Sequence, residues 1–350
     1  MAAARALIRA LASRGARVIV APDRDADGLA AGALAIRALE RLGAVPTALL
    51  LRKGEHVHSP AMRERLAAAP ADALLVLDMG SRRGPILEGR PTIVIDHHDA
   101  RETPDVDVFV SAAGCEPVAP TGLLTYELFR ALVDLDDVAW YAVVATIGDL
   151  GEQHPFAAQL GAIAARYRKT HLKETVALLN GARRHGSHRP ELALTALLAA
   201  REPADIARGL VPGAAELAAM RDEVNAEVRR VMHTAPVFGR GVAMIRFASS
   251  AQIHPLIATR WAKRLAPSIV FAVNDGYLPG RTNFAVRSAA DVDLLAFLRA
   301  LPMGTVVGEY ANGHPRATGG SLPPDELARM LDALGLDAAS ARSSARAAST

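Results

Sequence analysis

The stretch ARVIVAPDRDADGLAAGALAIRAL, residues 16–39, joins an apolar run to a helical pattern through a turn that carries Asp23, Asp25 and Asp27. Three carboxylates this close repel one another, and removing them from water at the end of a buried strand is more unfavourable still. A divalent cation between them relieves the repulsion, since Mg²⁺ and Mn²⁺ prefer oxygen ligands. Taken alone, the pattern fits a solvated acidic turn or a helix N-cap equally well.

Composition sets the class of protein. The chain has 350 residues, which predicts two domains, and 51% of them are hydrophobic, enough for a sizeable core. A single cysteine, Cys115, excludes an intramolecular disulfide framework and a cysteine-based zinc site. The net charge of +3 does not by itself indicate nucleic acid, and no apolar run is long enough to span a membrane. A cytoplasmic location fits these features best.

Short apolar runs alternate with helical patterns through the first half, which predicts a parallel sheet with flanking helices. The predicted strands are 18–21, 46–51, 73–77, 92–95 and 106–110, and the predicted helices are 29–42, 59–69, 121–135 and 137–147.

A helical section covers about 155–233 and ends in a long connecting helix at 214–232. A smaller α/β section follows, with strands expected at 242–247, 268–273 and 281–286 and helices at 254–265 and 292–301. The predicted domains are a metal-binding domain at 1–185, a helical connector at 186–234, a substrate-binding domain at 235–336 and a flexible tail at 337–350.

Further acids and histidines follow the other buried segments. Asp78 comes directly after the run 73–77, and Asp96, His97 and His98 close the run that begins at Thr92. Asp149 ends an apolar helical stretch. A strand-end aspartate alone usually forms a turn or a cap. Because the carboxyl ends of parallel strands meet at one edge, these residues together favour a metal site there.

Taken in order, these motifs resemble those of the DHH phosphoesterase superfamily. They are D-x-D-x-D-G at 23–28, the isolated Asp78, DHH at 96–98 and GD at 148–149. The segment NGHPRATGGS at 312–321 resembles the signature of the DHH-associated domain. DRDADGLAAGALAIRAL, IDHHDARETPDVDVFV, AVVATIGDL and FAVRSAADVDLLAFL are similar to the RecJ-type branch of single-strand exonucleases, and the resemblance covers about 16–330.

The resemblance implies two divalent cations, Mn²⁺ or alternatively Mg²⁺. Their implied ligands are Asp23, Asp25, Asp27, Asp78, His97 and Asp149, with Asp78 as the bridge. His98 is expected to contact the scissile phosphate as an acid or electrostatic stabiliser, and Asp96 to orient an imidazole. Many relatives carry a histidine just before the first motif, where this chain has Ala21 and Pro22. Asp23 is the expected substitute.

The associated domain is expected to bind the substrate. Arg287 matches a family arginine that faces the cleft, and Gly313, His314 and Arg316 are expected to form a loop that binds a phosphate or a strand end. A glycine-rich turn with a solvated arginine is the alternative. Asn312 stands where relatives carry glycine, so its side chain is expected to narrow the pocket or to add a hydrogen bond to the substrate.

The leading functional hypothesis is a two-metal phosphodiesterase that degrades single-stranded DNA or RNA from an end, 5′ to 3′, to mononucleotides. An enzyme for shorter substrates is the rival: di- to tetranucleotides, linear products of cyclic dinucleotides, or 3′-phosphoadenosine 5′-phosphate. The small aromatic content (4%), and the expectation that the chain ends without an added OB-fold, favour this rival. A non-catalytic scaffold module is a third hypothesis. We expect no membrane partner and either a monomer or a homodimer, and the sequence names no protein partner.

Overall fold

The computed structural model describes residues 1–80, 82–98, 103–304 and 309–336. Its contacts divide the chain into two compact units. The first comprises residues 1–183 and 188–221, and the second comprises 184–187 and the chain from Asp222 onward, so far as it is described. The tail expected at 337–350 lies outside the described residues, and the domain limits expected at 185 and 234 stay predictions. Among the described helices, none is both long and apolar enough to cross a membrane.

A five-stranded parallel sheet forms the centre of the first unit, as the alternating pattern predicted. Its strands are β1 (Arg17–Pro22), β2 (Val45–Ala48), β3 (Ala73–Leu77), β4 (Thr92–Asp96) and β5 (Val108–Ser111), in the order β2-β1-β3-β4-β5. β2 ends three residues earlier than predicted because this edge strand pairs with β1 only as far as Ala48. β5 begins two residues later than predicted, since its pairing with β4 starts at Val108.

The helices of the first unit cover both faces of this sheet. They are α1 (Ala2–Ala12), α2 (Ala26–Leu42), α3 (Pro60–Ala68), α4 (Thr121–Phe129), α5 (Trp140–Leu150), α6 (Ala157–Ala164), α7 (Lys169–Arg184), α8 (Pro190–Ala199) and α9 (Pro203–Ala207). On β1, Val18 and Val20 face the larger core with α2, whereas Ile19 and Ala21 face the smaller core with α3. The unit is therefore a sheet between two helical layers, which leaves the strand ends to carry polar side chains.

The prediction of a single helix at 121–135 is wrong in its second half. α4 ends at Phe129, and a short 3₁₀ helix, Asp136–Val138, follows before α5. The side chain of Asp134 accepts a hydrogen bond from the backbone N–H of Asp136 at 3.0 Å. Such side-chain bonds compete with helical hydrogen bonds, which explains why the helix does not continue through this acidic segment.

The second unit contains a six-stranded mixed sheet. Its strands are β6 (Val237–Phe238), β7 (Val242–Phe247), β8 (Ile269–Leu278), β9 (Arg281–Ser288), β10 (Glu309–His314) and β11 (Ala317–Leu322), in the order β10-β11-β9-β8-β7-β6. The β7–β8 pair is parallel and the other pairs are antiparallel. The helices are α10 (Ala214–Val231), which begins in the first unit, α11 (His254–Arg264), α12 (Leu294–Arg299) and α13 (Pro324–Ala333).

The segment 312–321, expected to be a binding loop, is mostly a β-hairpin. β10 and β11 pair antiparallel, with Gly313 opposite Thr318, and β11 pairs in turn with β9. The expected loop conformation was wrong because it treated the glycines as turn residues, whereas the backbone groups of β9 require a strand beside them. The binding role expected of these residues stays a prediction. Sequence analysis also did not predict β6 or α13.

Candidate metal centre

The turn after β1 is held by hydrogen bonds between an aspartate and the backbone. Asp25 is the N-cap of α2, and its Oδ1 atom accepts hydrogen bonds from the N–H groups of Asp27 and Gly28, at 3.1 and 3.0 Å. A Cβ atom at Gly28 would lie 2.7 Å from the carbonyl oxygen of Asp23, so only glycine allows so tight a turn. The turn keeps Asp23 and Asp25 at the carboxyl end of β1.

The carboxylate of Asp27 is buried against the first turn of α4. Its two oxygens accept hydrogen bonds from the backbone N–H groups of Thr121 and Gly122, at 2.9 and 2.7 Å. The positive end of a helix favours an anion at this position. Burial, and next the charge of Asp78, nevertheless raise the pKa of Asp27 well above its ordinary value.

Asp78 follows β3 and has an unusual backbone conformation. Its φ of 66° lies in the left-handed region, which few residues other than glycine adopt and which aspartate tolerates better than most. The residue is only 4% exposed, and its Oδ1 atom accepts a hydrogen bond from the Thr121 hydroxyl at 3.0 Å. Burial, and next the charge of Asp25, raise the pKa of Asp78 well above its ordinary value. A nearby cation would stabilise the charged form of this carboxylate.

The ring of His97 lies among three carboxylates. Its Nε2 atom is 3.3 Å from Oδ1 of Asp78 and 3.9 Å from Oδ2 of Asp27. Its Nδ1 atom is 3.8 Å from Oδ2 of Asp149, which lies near the end of α5. The structure therefore brings a residue from the end of β4 and a residue from a helix to the carboxylates that follow β1 and β3.

His98 has a different set of partners. Its Nδ1 atom lies 2.9 Å from Oδ1 of Asp96 and 3.8 Å from Oδ1 of Asp78. Burial disfavours the imidazolium, but the hydrogen bond to Asp96, together with the charge of Asp78, raises the pKa of His98 to about 10. Burial also acts to raise the pKa of Asp96, but the hydrogen bond to His98, the charges of the two histidines and the N–H of Gly80 together lower this pKa. Of the two adjacent histidines, His98 is the one that Asp96 orients.

The ligand atoms form two groups that share one residue. Asp23, Asp25 and Asp78 each place an oxygen within 4.8 Å of the others, and Asp78, His97 and His98 do the same with an oxygen and two ring nitrogens. Carboxylate oxygens suit Mg²⁺ and Mn²⁺, and imidazole is a further ligand for transition metals. Asp78 belongs to both groups, so its carboxylate links them. The donor set therefore fits divalent cations.

Sequence reasoning missed Arg183, Thr121 and Gly122. The Nη1 atom of Arg183 lies 2.7 Å from Oδ2 of Asp25 and 3.6 Å from Oδ2 of Asp23. A basic cluster at 183–185 was visible in the sequence, but nothing in it indicates a contact with a residue 158 positions earlier. The N-terminus of α4 was predicted correctly, yet its role as the support of Asp27 and Asp78 has no signature in the sequence.

In the second unit, Arg287 lies on β9 beside the hairpin. Its Nη1 atom donates hydrogen bonds to the carbonyl oxygens of Val286 and Thr318, at 2.8 and 3.2 Å. Burial lowers its pKa, and in the described part of the chain no carboxylate pairs with it. Asn283 precedes it by four residues on the same strand, and no hydrogen-bond partner reaches its buried Oδ1 atom among the described residues. This face of β9 therefore holds a cation and an acceptor that suit a polar ligand.

The other predicted substrate-binding residues belong to the hairpin. Gly313 and His314 lie at the end of β10, but the side chain of His314 falls outside what the structure describes. Arg316, in the turn, forms an ion pair with Asp291 and donates a hydrogen bond to the carbonyl oxygen of Ala290 at 3.2 Å. Arg316 is well exposed, which agrees with the alternative interpretation of this segment as a turn with a solvated arginine.

Comparison with solved structures identifies the fold. RecJ from Thermus thermophilus in complex with Mn²⁺ matches with a TM-score of 0.67 and 23% identity, over 93% of this chain and 53% of that chain. An exonuclease RecJ bound to manganese matches with a TM-score of 0.63 and 21% identity, over 97% of this chain and 93% of that one. A DHH domain from a member of a ribosomal-protein family matches with a TM-score of 0.69 and 17% identity, over 96% and 90%.

These likenesses show that the chain has a DHH-family phosphoesterase fold, as the motifs predicted. The chain spans about half the length of the Thermus thermophilus RecJ that it matches, 53% of that chain. No family model and no curated protein sequence matches it.

Proposed function

We propose that this chain, which has a DHH-family phosphoesterase fold, is a metal-dependent phosphodiesterase that hydrolyses single-stranded nucleic acid from an end. The proposed direction is 5′ to 3′ and the proposed products are mononucleotides. The observation that carries the proposal is the pair of ligand groups that share Asp78. Further support comes from the similar RecJ structures in complex with Mn²⁺, one of which is named an exonuclease.

The proposed ligands of two divalent cations are Asp23, Asp25, Asp27, Asp78, His97 and Asp149. When bound, such cations polarise a phosphate and lower the pKa of a bound water, which supplies a nucleophile at neutral pH. Thr121 holds both Asp27 and Asp78, through its N–H and its hydroxyl, so these two carboxylates keep one geometry. Preorganised ligands of this kind need no rearrangement during the reaction.

His98 is the proposed contact to the scissile phosphate. Asp96 holds its Nδ1 atom at 2.9 Å, which sets the tautomer and orientation of the ring and favours its protonated form. A protonated imidazole beside the ligand groups would donate a hydrogen bond to a phosphate oxygen and stabilise the charge that develops there. Asp96 is thus a positioning residue for His98.

Arg287, Gly313, His314 and Arg316 are the proposed substrate-binding residues of the second unit. Arg287 suits a phosphate because it is partly buried and has only backbone carbonyls as described partners. Arg316 would have to exchange its ion pair with Asp291 for a substrate phosphate. Of these four residues, Arg287 is therefore the one that we propose to bind a substrate phosphate.

A second candidate function uses the same centre on smaller substrates. These are di- to tetranucleotides, linear products of cyclic dinucleotides, or 3′-phosphoadenosine 5′-phosphate. The observation that favours them is the low aromatic content, 4% of residues, because aromatic side chains provide the stacking platforms on which single strands are held.

The test is hydrolysis of 5′-labelled DNA and RNA of graded length, from a dinucleotide to a 30-mer, with Mn²⁺ or Mg²⁺. We expect the wild-type chain to shorten the long strands and the Asp78→Ala variant to be inactive. Asp105→Ala removes an exposed carboxylate of the same unit outside the centre and should keep full activity. The assay should also include 3′-phosphoadenosine 5′-phosphate.

Each outcome separates the hypotheses. Cleavage of only the shortest oligonucleotides would replace the proposed substrate by the second candidate. Release of mononucleotides from the unlabelled 3′ end first would overturn the proposed direction. If no substrate is cleaved although calorimetry shows bound Mn²⁺, the chain is not the proposed nuclease, and a scaffold role gains support.

A further inference from the structure

The helical part of the first unit contains a cavity that the proposed reaction does not use. Its volume is about 210 Å³, and its lining includes Arg166, Tyr167, Arg168, His171, Glu202 and Arg208. Among these six, three arginines and a histidine face one carboxylate. Pockets for whole drug-sized ligands measure about 300–1,000 Å³, so a cavity of this size suits a smaller group such as a phosphate ester.

The cavity lies at the opposite end of α7 from the metal centre. Arg168 precedes this helix and His171 lies in its first turn, whereas Arg183 at its other end contacts Asp25. The 12 residues from His171 to Arg183, at 1.5 Å per residue, separate the two places by about 18 Å. The cavity is therefore distinct from the ligand groups around Asp78.

The charges of the cavity are only partly compensated. Arg166 pairs with Asp136 at 2.9 Å. In the described part of the chain, Arg168 and Arg208 form no ion pair. The N-terminus of α7, a helix of 16 residues, adds a positive partial charge at the same place. An anion at this position would meet two uncompensated guanidinium groups, the helix terminus and His171.

Tyr167 gives the cavity an aromatic wall. Its side chain is half-buried, and the guanidinium carbon of Arg166 lies 6.0 Å from the centre of its ring. Sites for single-stranded nucleic acid combine positive charges that follow the phosphates with aromatic rings on which bases stack. The phosphate of a nucleotide is the anion whose chemistry would use both the arginines and the ring of this cavity.

We propose that this cavity binds a phosphate ester of a nucleotide through Arg168 and Arg208, apart from the metal centre. The phosphate belongs either to a single strand whose end lies elsewhere on the protein or to a free mononucleotide. Binding of a single strand rests on the proposed function, since the cavity would then hold a part of the substrate beyond its reacting end. Strand binding would favour long substrates over short ones.

The test measures binding by the full chain in EDTA, so that no metal-bound substrate contributes. The probes are a fluorescent 20-nucleotide single strand, followed by anisotropy at several salt concentrations, and adenosine 5′-monophosphate, followed by ligand-observed NMR. Loss of two phosphate contacts should reduce the slope of log K against log salt by about 1.4. We expect this reduction, with weaker binding, for Arg168→Ala/Arg208→Ala.

The matched control is Arg9→Ala/Arg63→Ala, which removes two exposed arginines outside the cavity lining. Weaker strand binding in the cavity variant but not in the control identifies the strand as ligand, and loss of mononucleotide binding alone identifies the free nucleotide. If both variants bind both probes like the wild type, the proposal is wrong. Hydrolysis of a dinucleotide with Mn²⁺ is measured separately, so a failure of the proposed nuclease activity does not decide the result for the cavity.

Discussion

The guanidinium of Arg183 lies 2.7 Å from Oδ2 of Asp25 and 3.6 Å from Oδ2 of Asp23, so α7 places a positive charge beside the carboxylates that follow β1. In the metal-free chain this contact offsets part of the repulsion among the acids of the centre. A divalent cation at Asp25 would relieve the same repulsion. Arg183 and a bound cation therefore stabilise one carboxylate in alternative ways.

The Arg183→Gln variant should separate these two roles. Without metal, we expect a lower melting temperature, because a hydrogen bond to a charged group contributes about 1.5–3 kcal/mol. With Mn²⁺, we expect a larger rise in melting temperature than in the wild type, since a competing positive charge has been removed. Scanning calorimetry with EDTA and with Mn²⁺ measures both effects.

Arg41→Gln is the matched control for this experiment. Arg41 pairs with Asp137 at 2.7 Å, away from the ligand groups, and that aspartate is well exposed. An exposed pair contributes about 0–1 kcal/mol, so this variant should lose little stability and show the wild-type response to Mn²⁺. Equal Mn²⁺ responses in both variants would show that Arg183 does not act on the metal centre.

Gly122→Ala tests the support that α4 gives to Asp27. A Cβ atom at this position would lie 2.3 Å from Cβ of Ala145 and 3.0 Å from Oδ1 of Asp27. Because α4 and α5 must separate to admit it, we expect a loss of about 1–3 kcal/mol and weaker Mn²⁺ binding. Chemical denaturation and isothermal calorimetry measure the two effects.

Gly161→Ala is the corresponding control, since this helical glycine of α6 has no atom within 4 Å of its added Cβ. It should leave Mn²⁺ binding unchanged and raise the stability by about 0.5–1 kcal/mol. Wild-type Mn²⁺ affinity in Gly122→Ala would argue against α4 as a support of the ligands.

Substitutions of Asp78 test whether this carboxylate lowers the stability of the metal-free chain. In the metal-free chain we expect Asp78→Asn to be more stable than the wild type at neutral pH, because it removes a buried negative charge and asparagine tolerates the left-handed backbone. Asp78→Ala should be about 1–2 kcal/mol less stable than Asp78→Asn, since alanine is strained at this φ. Both variants should lose the stabilisation by Mn²⁺. A wild-type Mn²⁺ response in Asp78→Asn would exclude Asp78 as a ligand.

The raised pKa values of Asp27 and Asp78 predict a specific dependence of stability on pH. In the metal-free chain both carboxyls bind protons more tightly in the folded than in the unfolded state. Their contribution to stability is fully present below the ordinary carboxyl pKa, about 4, and is lost as the pH rises through the raised values. Between pH 4 and 8, the stability of the wild type should therefore fall relative to that of Asp78→Asn.

Melting temperatures of both proteins in EDTA, measured across this range, test the prediction. Mn²⁺ should reverse the loss of wild-type stability near pH 8, because metal binding requires deprotonated carboxylates. If the two proteins keep a constant difference from pH 4 to 8, the pKa of Asp78 is not raised in the folded state.

The parallel sheet and the position of its acids followed from the sequence because both depend on local patterns. An apolar run followed by Asp23 or Asp78 predicts a buried strand with a polar end, and a parallel order brings such ends to one edge. The resemblance of the motifs to those of the DHH superfamily predicted the fold, which the comparisons confirm. The hairpin β10–β11 was missed because its glycines and polar residues do not show the alternation of a strand.

The sequence by itself determined the architecture of alternating strands and helices and the candidate ligands at the strand ends, since periodicity and turn chemistry act over a few neighbouring residues. Only the tertiary structure decided that Arg183 reaches Asp25, that Thr121 and Gly122 hold Asp27 and Asp78, and that Arg168 and Arg208 share a cavity. Each of these contacts joins residues far apart in the chain, and their geometry follows from how whole helices pack rather than from any local pattern.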